Sequence, residues 1–249
     1  MFYYLFKSLK IFVAWLDWLL LTLILYSCSF LPAYFTQSWY HWAFRRWCWA
    51  FVRAIGVELR LHQKNRFALP QQYLLIGNHP SAFEDIGMPA LFNVRFLAKI
   101  EVKTWWVLGR ISTAAGTLYV ERESKDSRKA ASLEIIDALN SGHNIGLYPE
   151  GGCKGRRIFL PFRYGTFEAA IQTKIPIVPV LLHYEAQEDF EWGPHETLLQ
   201  KIWTMMKSSN KVVNYYVFDA INPTLFKDKQ ALCAYTQELY LEWQKKYLE

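Results

Sequence analysis

A chain of 249 residues is long enough for one sizeable α/β domain with a small additional element. Hydrophobic residues make up 52% of it and aromatics 17%, more than a small soluble enzyme needs for its interior, which leaves apolar surface for lipid. The net charge of +6 and pI near 9.0 suit an anionic partner, and four cysteines without a C-x-x-C pair or zinc-finger histidines indicate neither a disulfide framework nor a zinc site.

Residues 11–35, IFVAWLDWLLLTLILYSCSFLPAYF, form an apolar run broken only by Asp17 and Pro32. A bilayer takes about 20 such residues, and no small-residue cleavage site follows, so the run reads as an anchor and not as a removable signal. Residues 38–56 mix Trp39, Trp42, Trp47 and Trp49 with Arg45, Arg46 and Arg53, which predicts a helix lying in the headgroup interface. Lys7 and Lys10 before the run balance Arg45 and Arg46 after it. A hairpin turning near Pro32 inside one leaflet puts both basic flanks on one side; a single span and a buried soluble helix stay open as alternatives.

From Val57 the pattern changes to short apolar runs at 57–62, 73–77, 94–98, 117–121, 144–148, 177–183 and 212–218, which read as strands. Residues 128–139, 167–173 and 229–247 read as helices between and after them. The alternation predicts an α/β fold with a mixed, largely parallel sheet flanked by helices, preceded by the membrane-associated helical hairpin. The expected division is an anchoring segment over 1–56 and a catalytic domain over 57–249. Pro176 and Pro179 predict an edge or bulged place for the sixth strand.

Four segments could carry chemistry. In GNHPSAFEDIG, His79 falls on the loop beyond a strand's carboxyl end, where open α/β sheets tend to place ligands. SAFE predicts a helix starting with Ser81 as its N-cap and Glu84 reaching back, close enough to His79 to orient it as a base. Asp85 competes for that role, and the plainer alternative is that Glu84 only caps and His79 only satisfies a loop carbonyl. G-x-S-x-G is absent and no cysteine sits at a recognisable elbow, so His79 as a base would act on a substrate hydroxyl. In GTLYVERESKDSRKAA, Arg122 follows a strand and is a phosphate-clamp candidate, or else a surface charge paired with Glu121 or Glu123. In YPEGGCKGRR, Glu150 and two glycines make a turn that Lys154, Arg156 and Arg157 render cationic. The fourth segment is KIPIVPVLLH.

These segments, in this order over roughly Val57 to Val180, resemble the four blocks of the glycerolipid acyltransferase family. NHPSAFE looks like its His, four residues, acidic motif, GTLYVER its second block, YPEGG its third and IPIVPV its fourth. The resemblance implies transfer of a fatty acyl group from acyl-CoA or an acyl carrier protein to the hydroxyl of a lysophospholipid, with 1-acylglycerol-3-phosphate as first choice. His79 would be the base, Glu84 its orienting carboxylate, Arg122 the phosphate ligand, and Glu150 with Gly151 the shapers of the glycerol site. No metal or cofactor is implied, the partners are the two co-substrates and membrane lipids without nucleic acid, and the expected location is the cytoplasmic face of a bacterial inner membrane.

The sequence departs from the family pattern where Glu84 stands in place of the more frequent Asp, and where Gly152 and Cys153 replace the Thr-Arg of the third block. An anion contact made by that arginine would pass to Lys154, Arg156 or Arg163. Another lysolipid acceptor, such as a lyso-ornithine lipid, and a catalytically silent lipid-binding protein are the competing readings.

Overall fold

The computed structural model describes residues 2–36, 39–191 and 196–249. Ser38, and the side chain of Lys7, lie outside the described residues. Three helices come first: α1 (Phe2–Cys28), α2 (Ala33–Thr36) and α3 (Tyr40–Ala54). Then follow β1 (Glu58–Gln63), β2 (Leu74–Gly77), α4 (Glu84–Leu91), β3 (Arg95–Lys99), α5 (Ile100–Lys103), α6 (Trp106–Ala114), β4 (Leu118–Val120), α7 (Lys125–Asn140) and β5 (Ile145–Leu147). The chain closes with α8 (Gly165–Thr173), β6 (Ile177–Tyr184), α9 (Gln187–Phe190), α10 (Leu198–Lys207), β7 (Val212–Val217) and α11 (Lys229–Tyr247).

The seven strands form one sheet in the order β1-β7-β6-β2-β5-β3-β4. Five of them, β6 to β4, run parallel, and the single antiparallel junction is between β6 and β7. All seven strands fall on the apolar runs that predict them. Helices cover both faces, as a parallel sheet requires. One core layer joins β2, β6 and β7 to α3 and α4 through Phe51, Leu75, Met88, Val180 and Tyr215, and the other joins the same sheet to α8 and α11 through Ile76, Phe167, Leu181 and Tyr240.

Of the edge or bulged place expected for the strand with Pro179, the structure has the bulge: β6 is third of seven, bonded to β7 and β2. Its proline is accommodated because the pairing slips there. Between Val180↔Val217 and the bridge Ile177↔Ile221, β6 advances three residues while the other strand advances four, so the ladder is already broken where Pro179 lacks its N–H. Helix α3 is two-sided: Tyr40, Phe44, Trp47 and Phe51 are buried, with Trp47 packed between Trp18 of α1, Phe44 and Phe51, while Trp42 and Arg46 are exposed on the other side, the aromatic and basic face expected to meet headgroups.

The chain does turn near Pro32, and α1 and α3 pack as a hairpin. The Tyr40 hydroxyl donates to the Leu25 carbonyl at 2.7 Å, and Trp47 Nε1 donates to Thr22 Oγ1 at 2.7 Å. Over Ser8–Cys28 the first helix is long and apolar enough to cross a membrane. Its other side carries an exposed stripe of Leu9, Phe12, Leu16, Leu20 and Leu23, so one face is bound to the protein and the opposite face is bare apolar surface.

Candidate active site

The site lies beyond the carboxyl ends of the neighbouring parallel strands β2 and β5, with β4 contributing from the sheet's far edge. After β2, Asn78 turns back onto β6: its side chain donates to the Leu182 carbonyl at 3.0 Å and accepts from the Leu182 amide at 2.7 Å. This two-point clamp fixes the loop on which His79 comes next. The regular helix starts at Glu84 with Phe83 in the N-cap position, two residues later than SAFE predicts, and the turn before it is tighter. The Ser81 hydroxyl accepts from the Phe83 amide and donates to the Phe190 carbonyl at 2.6 Å, so it is bound elsewhere and does not cap the helix. The other half of the expected arrangement is present, since Glu84 accepts from the Ser81 amide at 3.0 Å.

His79 Nδ1 lies 2.8 Å from Glu84 Oε2, with His79 4% exposed and Glu84 fully buried. Tyr184, the last residue of β6, donates its hydroxyl to Glu84 Oε1. Burial pushes the Glu84 carboxyl up, and the Tyr184 and Ser81 donors oppose it. A carboxylate that accepts from Ser81 and Tyr184 also accepts from Nδ1–H, which leaves the Nε2 lone pair free. Burial holds the imidazole down to about pKa 4, with Asp85 opposing and Arg122 adding to the shift, so it is neutral at pH 7. The ring stacks on Tyr148 at 4.1 Å and 11°, and Tyr148 stacks in turn on Phe96 at 5.4 Å. Gly146 makes room for this stack, because a methyl group there would lie 2.4 Å from the Phe96 ring.

His79 opens into a cavity of about 580 Å³, within the range of small-molecule sites. Its polar lining includes Asp85, Arg122 and Cys153, and its apolar walls come from α3, α4, β3, α5 and α6, among them Phe44, Ile86, Leu97, Val102 and Leu108. Asp85 therefore faces the cavity and makes no hydrogen bond to His79. Enclosure by the walls raises its carboxyl to about 6, against the pull of His79 and Arg122.

The structure brings Arg122 to this cavity but not Glu150, Gly151, Lys154, Arg156 or Arg163. Glu150 is 1% exposed and lies against the His79 and Phe159 amides without closing a hydrogen bond; burial pushes it up to about 8. Gly151 takes a φ of 80°, which favours glycine, and the Arg163 side chain crosses it: a methyl group at Gly151 would lie 3.2 Å from Arg163 Nε. A methyl group at Gly152 would lie 3.0 Å from Arg122 Nη1, so the two guanidinium groups flank the same dipeptide. Lys154 sits over the Phe159 ring at 4.4 Å, and its amide donates to the His79 carbonyl at 2.9 Å. Arg156 lies on the side of His183, which it and burial hold down. Among the described residues, no group of three His, Cys, Asp or Glu could hold a metal ion.

Sequence reasoning misses the parts played by Tyr148, the first residue of the third block, and Tyr184, which follows the fourth segment directly. It also misses the wall contributed by α3, where His41 and Phe44 line the cavity.

A family model described as Acyltransferase matches residues 58–183, half of the chain and all four blocks. The chain belongs to that family. A 1-acyl-sn-glycerol-3-phosphate acyltransferase of Neisseria gonorrhoeae is 29% identical over 158 residues, 61% of this chain and 62% of that protein. One from Neisseria meningitidis serogroup B is 30% identical over 46% of this chain and 45% of its own length. The chain thus spans less than two thirds of both. A lyso-ornithine lipid O-acyltransferase of Pseudomonas aeruginosa is 26% identical over 78% of this chain and 75% of that protein. The fold is that of the Thermotoga maritima 1-acyl-sn-glycerophosphate acyltransferase PlsC, with a TM-score of 0.63, 16% identity and coverage of 94% and 97%.

Proposed function

We propose that this acyltransferase-family protein moves a fatty acyl group from an acyl-CoA or acyl carrier protein thioester to the free hydroxyl of a lysophospholipid, converting 1-acylglycerol-3-phosphate to phosphatidate. The observation that carries the reading is the buried His79–Glu84 pair, 2.8 Å apart, opening into a largely apolar cavity of about 580 Å³. Nε2 takes the proton of the acceptor hydroxyl as that oxygen attacks the thioester carbonyl, and Glu84 stabilises the imidazolium that forms. Collapse of the tetrahedral intermediate expels the thiolate, which takes the proton back from His79. Arg122, which lines the cavity, supplies positive charge for the acceptor phosphate. The apolar walls accommodate an acyl chain.

The exposed stripe of α1 fits attachment to the cytoplasmic face of a bacterial inner membrane, with the hairpin sunk into one leaflet. The C-terminal half of α1 is held to α3 at Thr22 and Leu25, which fits a hairpin whose exposed apolar side meets lipid. Residues 1–56 would then be the anchor and 57–249 the catalytic domain, sharing the wall that α3 provides.

One observation favours a second acceptor. Asp85 lines the cavity without a salt bridge, and a cationic headgroup such as that of a lyso-ornithine lipid would pair with it. The test is thiol release from a long-chain acyl-CoA by detergent-purified protein with lysophosphatidate, lyso-ornithine lipid or no acceptor, for wild type and His79→Ala. Acceptor-dependent release lost by about a hundredfold or more in the variant supports the reading. Acceptor-dependent release that survives it removes His79 as the base.

A further inference from the structure

Helix α3 carries Trp42, Arg46, Trp49 and Arg53 at spacings of four, three and four residues, which puts all of them on one face. That face looks away from the core: Trp42 is 64% exposed, Arg46 and Arg53 are exposed and Trp49 is half-buried. Between this side of α3 and the last turn of α4 lies a second cavity, of about 340 Å³, lined by Trp42, Arg45, Arg46, Trp49, Ala90 and Leu91. None of these residues lines the cavity of His79.

Every polar side-chain group in this pocket is a donor. Half-buried Arg45 donates from Nε to the Pro89 carbonyl at 3.0 Å, a bond that closes the end of α4 and fixes the guanidinium plane. Its Nη1 and Nη2, the fork of Arg46 and the indole N–H groups of Trp42 and Trp49 have no hydrogen-bond partner among the described residues. No carboxylate lines the pocket. Burial pulls the Arg45 guanidinium down, and a charge that loses water without gaining a counter-ion is costly to hold. An arriving anion offsets that cost.

The surroundings select the anion. Helix α3 is held to α1, whose outer side is the bare apolar stripe from Leu9 to Leu23, so the pocket is part of the same hairpin as the surface that meets lipid. Tryptophan and arginine together suit the headgroup level of a bilayer. A soluble acidic partner gives no reason for the leucine stripe beside them.

We propose that Trp42, Arg45, Arg46 and Trp49 hold the phosphate of an anionic membrane phospholipid, at a docking site separate from the active site. The two guanidinium forks take phosphate oxygens, the indole N–H groups bond the remaining phosphate or glycerol oxygens, and Ala90 and Leu91 supply apolar floor. Because Arg45 also holds the end of α4, whose Asp85 and Ile86 line the active cavity, the bound lipid fixes the hairpin against the catalytic wall. The site rests on attachment of the hairpin to a membrane and not on the acyl-transfer reading.

The test is co-flotation of the full chain with vesicles of phosphatidylcholine, alone or mixed with phosphatidylglycerol. Wild type should favour the anionic vesicles by roughly tenfold, a margin that shrinks with salt. Arg46→Gln, and Arg45→Gln/Arg46→Gln with folding checked by melting temperature, should lose most of that margin and still float with phosphatidylcholine. Arg53→Gln removes the same charge from the same face but outside the pocket, and should keep it. Equal losses in Arg53→Gln and Arg46→Gln mean diffuse attraction and overturn the site. So does a margin that survives the double variant, as it would if the pocket took an acidic protein, or one that inorganic phosphate abolishes at matched ionic strength, the mark of a soluble ligand. A chain that floats with neither vesicle sinks the hairpin reading along with the site. One that keeps the margin but transfers no acyl group sinks the functional reading and leaves the site standing.

Discussion

The hydroxyl of Tyr184 donates to the carboxylate of Glu84, the group that holds His79 by its other oxygen. The two residues are a hundred positions apart in sequence, joined because β6 lies beside β2. Tyr184→Phe removes one donor from a fully buried carboxyl that burial already pushes up, so Glu84 is protonated more readily and holds the wrong imidazole tautomer. We expect kcat to fall by about tenfold, equivalent to about 1.4 kcal/mol, and the acid limb of the pH profile to move upward. A merely structural tyrosine would lower the melting temperature without moving that limb.

Burial holds His79 down to about 4, which keeps the base neutral over an unusual range. His79 itself should impose no fall in kcat/KM until pH approaches about 4, so an acid limb above that reports protonation of the buried Glu84 or of Asp85. The same shift has a stability consequence. Between the ordinary histidine value near 6.5 and about 4 the unfolded chain binds a proton that the folded chain does not, so stability drops as pH falls through that window. Urea unfolding of wild type and His79→Gln across that window measures the stability effect; a wild-type stability that does not drop relative to the variant between pH 6.5 and 4 would mean a solvated imidazole.

Much of this was legible in sequence for definite physical reasons. The strands are short apolar runs bounded by turn residues, and the His79–Glu84 pair is legible because its members are five residues apart on one loop and helix start. The region between β2 and β4 is less so. Helix α4 contains Gly87 and Pro89, and α6 contains Gly109, residues that weaken a helical pattern. Pro179 leaves edge and bulge open, since one residue cannot report how many neighbours its strand has, and the sheet order decides for the bulge. Tyr184, Tyr148 and the α3 wall come to the site only by sheet order and helix packing, which local sequence does not encode.

Gly87 on α4 faces Tyr215 of β7, and a methyl group there would lie 2.0 Å from the tyrosine hydroxyl oxygen. That hydroxyl is buried without a hydrogen-bond partner. Gly87→Ala should therefore destabilise by about 1 to 3 kcal/mol through overpacking against a fully buried ring. Tyr215→Phe deletes the oxygen that clashes and an unsatisfied polar group, so alone it should be neutral or stabilising. The double variant should recover most of the loss in a denaturant-unfolding cycle. Additive effects would show that the hydroxyl is not what excludes a side chain at position 87.

Glu150 is 1% exposed, both its oxygens lack a hydrogen bond, and burial raises it to about 8. Its folded value lies above its unfolded value of 4.5, so between those two pH values the folded chain holds a proton that the unfolded chain has released. Stability from this group is complete below pH 4.5 and is lost as pH rises towards 8. Glu150→Gln keeps the shape and cannot ionise. The variant should match wild type near pH 5 and exceed it by a few kcal/mol near pH 8, the gap opening steadily between. Melting temperatures across that range decide the matter. A wild type that is the more stable of the two at pH 8 would mean that Glu150 is ionised and paired, with the His79 and Phe159 amides as its donors.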